Sequence, residues 1–86
     1  MYYVYVLISL KDKMFYVGFT NNLNRRISEH NRGDNVSTKY RAPFVLVYFE
    51  GHCNKKDALR RESYLKTAKG KTMLKYVIRN HLEEIL

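Results

Sequence analysis

A chain of 86 residues has room for one small domain spanning 1–86, whose folding buries roughly 60–65% of the unfolded chain's surface. Its apolar share is 45%, and 16 lysines and arginines against 8 acids leave a formal charge of +8. That balance favours polyanions such as DNA, RNA or an anionic membrane surface, the plain alternative being a solvated cationic face.

The predicted elements follow in chain order. Residues 2 to 8 form a strand with Tyr3, Tyr5 and Leu7 on one side and Tyr2, Val4, Val6 and Ile8 on the other. Both sets are largely apolar, which suits a central strand covered on both faces. Ser9 to Lys13 is a short polar hairpin loop leading into a second strand at 14 to 18. A tight turn centred on Leu10-Lys11 sets Tyr5 opposite Tyr16, so that the two rings share a face; a slip of one residue separates them. Gly18 lets the backbone turn, and Thr20, Asn21 or Asn22 caps the helix that follows. This helix runs from about Asn22 to Arg32 and stops at Gly33. Leu23, Ile27 and His30 share one of its faces, with Arg26 at the edge.

Asp34 to Ala42 is a polar loop of about nine residues, and Pro43 ends it. Phe44 to Phe49 is a β-rich run and forms the third strand. Asn54 opens a second helix that continues to about Lys69, with Asp57 in its first turn and Gly70 as its punctuation. Met73, Leu74, Val77, Ile78, His81, Leu82 and Ile85 keep helical spacing and make a third helix. The order β-β-α-β-α-α implies an α+β fold, a small sheet with helices packed on it. Lone Cys53 allows no internal disulfide, so nothing points to an oxidising compartment. The apolar start, Met1 to Ile8, carries no basic leader and is far shorter than the ~20 residues of a membrane span. A cytoplasmic protein with no membrane association is expected.

Several residues can carry chemistry. Glu62 falls on the same stripe of the second helix as Ala58, Leu59 and Leu65, and a carboxylate facing the core is costly unless it is paired or binds a cation. A hard divalent metal answers that need; so does an ion pair with Arg26, or a side chain that reaches water at the sheet edge. Tyr5 and Tyr16 either fill space or, with a cation nearby to stabilise phenolate, act on a nucleophile. Arg26 can hold a phosphate with two parallel hydrogen bonds. His30 is a core histidine, a phosphate contact or a proton carrier. Arg25, Lys39, Tyr40 and Arg41 are the candidate nucleic-acid contacts, since spaced cations can track a phosphodiester backbone.

Taken together, these residues resemble the GIY-YIG nucleases. Tyr16-Val17-Gly18 stands for the second signature, and Tyr3-Val4-Tyr5 occupies the place of the first, with Tyr3 where the family name has glycine. Arg26 with His30 four residues later, and Glu62 on a later helix, complete the ordered set. The likeness covers nearly the whole chain and is greatest to small stand-alone bacterial members. It implies a three-stranded antiparallel sheet flanked by helices, and a nuclease that cuts phosphodiesters with one divalent metal, Mg²⁺ or Mn²⁺, held by Glu62. It also implies that Arg26 holds the scissile phosphate, that one of Tyr5 and Tyr16 helps activate water while the other positions it or the phosphate, and that His30 assists. Two positions depart from the pattern. Phe19 stands where some members have lysine, and the nearest asparagine after Glu62 is Asn80, which receives no site role. The expected substrate is DNA, structured or branched forms included, with RNA as the alternative. With no room for a recognition module, target choice falls to a protein partner or to nucleic-acid shape. The rival reading is a non-catalytic nucleic-acid binder on the same fold, and a third is a protein-interaction adaptor using the third helix.

Overall fold

The computed structural model covers residues 1–86. Three antiparallel strands, β1 (Tyr2–Ser9), β2 (Phe15–Thr20) and β3 (Phe44–His52), form a sheet in the order β2-β1-β3. The helices are α1 (Leu23–Arg32), α2 (Lys55–Leu65), α3 (Ala68–Val77) and α4 (Arg79–Ile85), and a 3₁₀ turn spans Lys39–Arg41. The α+β order is the expected one, with the last helical stretch divided in two at Ile78.

β1 is central and covered on both faces, as its two apolar sets imply. Val4, Val6 and Ile8 point to one face, where Val17, Val47, Ala58, Leu65 and Leu74 close the larger core under α2, α3 and α4. Tyr5 and Leu7 point to the other and share a smaller core with Phe44, Leu23 and Ile27 under α1. A bulge after Val6 lets both Val47 and Tyr48 of β3 face the larger core. Asn31 ties α1 to the start of β3: its Nδ2 donates to the Phe44 carbonyl at 3.2 Å and its Oδ1 accepts from Phe44 N–H at 2.7 Å.

The hairpin differs from the tight turn expected. The Ser9 hydroxyl accepts from the N–H groups of Lys11 and Asp12, both at 3.1 Å, and Lys13 takes a positive φ of 62°. The loop is therefore wider, and the ladder pairs Tyr5 with Gly18 and Leu7 with Tyr16. The offset is two residues, so every side chain keeps its face. β2 continues through Gly18 to Thr20, which makes Gly18 a strand residue rather than a turn. Asn22 caps α1 by accepting from Arg25 N–H, and Gly33, with φ 80°, closes it as the sequence predicts.

Gly70 is likewise not a terminator. α2 stops at Leu65, Thr67 caps α3 by accepting from the Gly70 N–H at 3.0 Å, and Gly70 lies buried in the first turn of α3. A Cβ there would overlap the Tyr64 carbonyl oxygen and crowd the Leu65 Cα, so the glycine is what lets α3 close against the end of α2.

Candidate active site

The site forms along β2 because β2 is an edge strand. α1 lies on one face of the sheet and α2 on the other, and over an edge strand side chains of both can approach the same group. Tyr5 is that group. It is fully buried, and its ring lies across Gly18 of the neighbouring strand: a Cβ at 18 would overlap both the hydroxyl and Cζ. The glycine of the second signature is thus a clearance for the tyrosine of the first.

The Tyr5 hydroxyl sits in a chain of hydrogen bonds. His30 Nε2 is 2.9 Å from it, and Arg26 Nε donates to it at 3.4 Å. His30, buried on α1, places its other nitrogen, Nδ1, 2.8 Å from the Thr38 hydroxyl. Arg26 Nη1 donates to Glu29 Oε1 at 3.3 Å, one turn along the same helix. Tyr16 lies on the same face as Tyr5, with ring centroids 6.4 Å apart, and meets the His30 ring edge-on at 4.8 Å. No protein atom accepts from or donates to the Tyr16 hydroxyl among the side-chain bonds of this face, which leaves it available to a ligand.

Electrostatics follow from this packing. Burial pushes the Tyr5 phenol up to about 12, against the hydrogen bond from Arg26, which favours phenolate; the charges of Tyr16 and Glu62 reinforce the rise. Burial and the neighbouring Arg26 charge push the His30 imidazole down. The Tyr5 hydroxyl and Glu29 hold Arg26 firmly protonated. A neutral phenol, a neutral imidazole and a fixed cation are therefore the resting state.

Glu62 comes from α2 on the opposite layer and is close enough for its charge to act on Tyr5. Its side chain is half-buried and ion-paired with Lys66 at 3.4 Å, not with Arg26. No three His, Cys, Asp or Glu side chains cluster as a metal cage. A single carboxylate suits Mg²⁺ or Mn²⁺, hard cations that keep several waters and take substrate phosphate as a ligand; it does not suit a structural zinc, which needs four protein ligands.

A cleft of about 440 Å³ opens beside Arg26, lined by Tyr2, Phe19, Thr20, Asn21, Arg25, Glu29 and Lys55. Arg25 and Lys55, from α1 and α2, put two cations on its walls, and neither makes an ion pair there. Lys39 and Tyr40 are exposed on the 3₁₀ turn, with Lys39 Nζ 4.8 Å from the Tyr40 ring centre. Arg41 is committed elsewhere: Nε donates to Asp12 Oδ2 at 2.6 Å and Nη2 to the Met14 carbonyl at 3.2 Å, so it staples the 34–42 segment to the β1–β2 loop. The same bond holds the Asp12 carboxyl down to about 2. Sequence alone does not single out Thr38, Glu29, Lys55 or Asn31. Only the i, i+3 spacing of Arg26 and Glu29 could have signalled any of them.

The GIY-YIG catalytic domain matches residues 1–77 of this chain. A UPF0213 protein of Clostridium perfringens is 49% identical over 67 residues, covering 77% of this chain and 71% of the relative. One from Staphylococcus haemolyticus is 42% identical over 77 residues, 88% of this chain and 93% of the relative. The solution NMR structure of a UPF0213 protein from Bacillus halodurans superposes with a TM-score of 0.56 at 34% identity, covering 90% of this chain and 85% of that one.

Proposed function

The chain belongs to the GIY-YIG catalytic-domain family, and from that premise we propose that it is a metal-dependent endonuclease that hydrolyses DNA phosphodiesters with little sequence preference of its own. The observation that carries the reading is the hydrogen-bonded line Arg26–Tyr5–His30, with Glu62 within electrostatic reach of the same phenol from the opposite layer.

Each group has a part. Arg26 is charged and leaves Nη2 free of protein partners, so it can grip the scissile phosphate and neutralise charge as it develops. Glu62 would hold Mg²⁺ or Mn²⁺, exchanging the exposed Lys66 for the cation. Bound there, the ion would act as a Lewis acid on the phosphate oxygens. Tyr5 takes the proton of the attacking water once its own proton has passed to His30, with the Arg26 guanidinium beside it favouring the phenolate against burial. Tyr16 orients the water or the phosphate. Arg25, Lys55, Lys39 and Tyr40 engage the nucleic-acid backbone away from the cut. Structured or branched DNA is the first substrate to assay and RNA the second, and a protein partner would supply target choice. No helix is long and apolar enough to cross a membrane, and the cytoplasm, where DNA is accessible, is the proposed location.

Magnesium-dependent nicking of DNA by the pure protein tests this. Cleavage should vanish in Glu62→Ala with DNA affinity retained. Cleavage that survives Glu62→Ala overturns the assignment, and salt-sensitive binding with no cleavage by the unaltered chain turns the reading into that of a non-catalytic binder.

A further inference from the structure

Thr38 lies in the middle of a polar segment, yet only 1% of its surface is exposed. Burying a hydroxyl is unfavourable unless it finds partners, and threonine in a polar loop ordinarily faces water. Here the partner is His30 Nδ1, at 2.8 Å, and the Asn35 carbonyl stands 3.5 Å from the same oxygen. The segment that carries Thr38 is held on every side. Asp34 N–H donates to the Glu29 carbonyl at 3.0 Å, the Asn35 carbonyl accepts from Thr38 and Lys39 N–H, and the Ser9 hydroxyl donates to the Arg41 carbonyl. Thr38 is therefore a fixed post against one edge of the imidazole, and the Tyr5 hydroxyl, 2.9 Å from Nε2, stands at the other.

The donors and acceptors decide which nitrogen carries the proton. Arg26 Nε–H can only donate, so the Tyr5 oxygen accepts from it. The only other protein group at that oxygen is His30 Nε2, which must then be the acceptor of the Tyr5 O–H. An unprotonated Nε2 in a neutral ring requires Nδ1–H, and Nδ1–H donates to the Thr38 oxygen, whose own hydrogen turns to the Asn35 carbonyl. Every donor meets an acceptor. The other tautomer aims two N–H groups at one phenol oxygen and leaves the Tyr5 hydrogen with no protein acceptor inside a buried site, an expensive arrangement.

We propose that Thr38 is a positioning residue that holds His30 in the Nδ1–H tautomer, so that Nε2 stays open to receive the Tyr5 proton. The tautomer a histidine adopts is set by the hydrogen bond its other nitrogen makes. The consequence for catalysis rests on the nuclease reading above. There, the Tyr5 O–H bond breaks and an Nε2–H bond forms on His30, one proton moving between them, and the imidazolium keeps its Nδ1–H on Thr38. At rest the proton remains on Tyr5, whose phenol is raised while the imidazole is lowered.

Long-range ¹H–¹⁵N NMR of the full chain, at a pH of about 7.5 where His30 is neutral, reads the tautomer directly. The unaltered protein and Thr38→Ser should show Nδ1 as the protonated nitrogen, and Thr38→Val, which keeps the shape and loses the oxygen, should shift His30 toward Nε2–H. Cleavage by Thr38→Val should fall roughly 10- to 100-fold in kcat, by analogy with the loss of the partner that orients a metal-bound histidine, with KM little changed and with Thr38→Ser near full activity. An Nε2–H ring in the unaltered protein overturns the proposal whatever the variants do, and so does an Nδ1–H ring in a folded Thr38→Val. Should Thr38→Val fail to fold, a shifted tautomer in Thr38→Ser would overturn it equally. If the tautomer moves as expected but the unaltered chain shows no cleavage, the positioning stands and the nuclease reading fails.

Discussion

Gly18 and His30 show how single residues set the site. Gly18 reads from sequence as a turn residue, because glycine is common in turns; its reason here is the Tyr5 ring, which crosses it from the next strand. Gly18→Ala keeps an ordinary strand backbone and so tests clearance alone. It should cost about 1–3 kcal/mol by overpacking, seen in urea unfolding, and under the proposed nuclease function should abolish cleavage by displacing the Tyr5 hydroxyl. A variant of unchanged stability and activity would show that Tyr5 can lie elsewhere without loss. His30 gives a pH dependence. Burial and the Arg26 charge lower its pKa in the folded protein, so as pH falls the unfolded chain takes up the proton first. Stability is then full above about pH 6.5 and declines below it, by at most about 1.4 kcal/mol per pH unit. Urea unfolding at about pH 7.5 and about pH 5.5 should show the decline, and His30→Gln should flatten it. His30, Arg26 and both tyrosines were legible because their spacing puts them on shared faces. Thr38 was not, since nothing local distinguishes a loop threonine that faces water from one that meets a histidine elsewhere in the chain.

At the scale of elements, the helix boundary near Gly70 separates propensity from packing. Glycine in a helical stretch reads as a stop, and by propensity alone Gly70→Ala should stabilise α3 by about 0.8–1 kcal/mol. The structure reverses the sign. The methyl would meet the Tyr64 carbonyl and Leu65 backbone, atoms that cannot turn aside as a side chain tip can. Gly70→Ala should therefore destabilise by about 1–3 kcal/mol, and urea unfolding would decide between the two; a stabilised variant would show that α3 slides on α2 at little cost. Thr67→Ala, which removes the cap of the same helix, should cost about 1 kcal/mol and serves as the reference for a purely local effect. The strand faces were legible because alternation survives any even shift in register, as the two-residue offset of the β1–β2 ladder shows. The helix ends were not, because Gly70 answers to a neighbour in space rather than to its own segment.

The whole molecule divides its positive charge along the length of β1. Arg25 and Lys55 line the cleft beside Tyr2 at the start of that strand, while Lys13, Lys71 and Lys75 surround an apolar recess beside Ile8 near its end. Roughly six strand residues at about 3.3 Å each separate the two ends by roughly 20 Å, so a backbone lying in the cleft cannot also rest on the second group without wrapping the sheet. Net charge alone, the only quantity composition supplies, treats these cations as equivalent; the fold does not. If the cleft is the nucleic-acid path, replacing Arg25 and Lys55 together by alanine should make the plot of log affinity against log salt shallower by roughly 1.8, about 0.9 for each phosphate no longer neutralised on duplex DNA. Replacing Lys71 and Lys75 removes the same formal charge and should lower affinity only slightly, leaving the slope near its original value. Fluorescence anisotropy on one labelled duplex across a salt series measures both. Equal changes in slope for the two pairs would mean that DNA is held by diffuse charge, and the site on β2 would then depend on a further protein or on DNA shape to meet a phosphate at all.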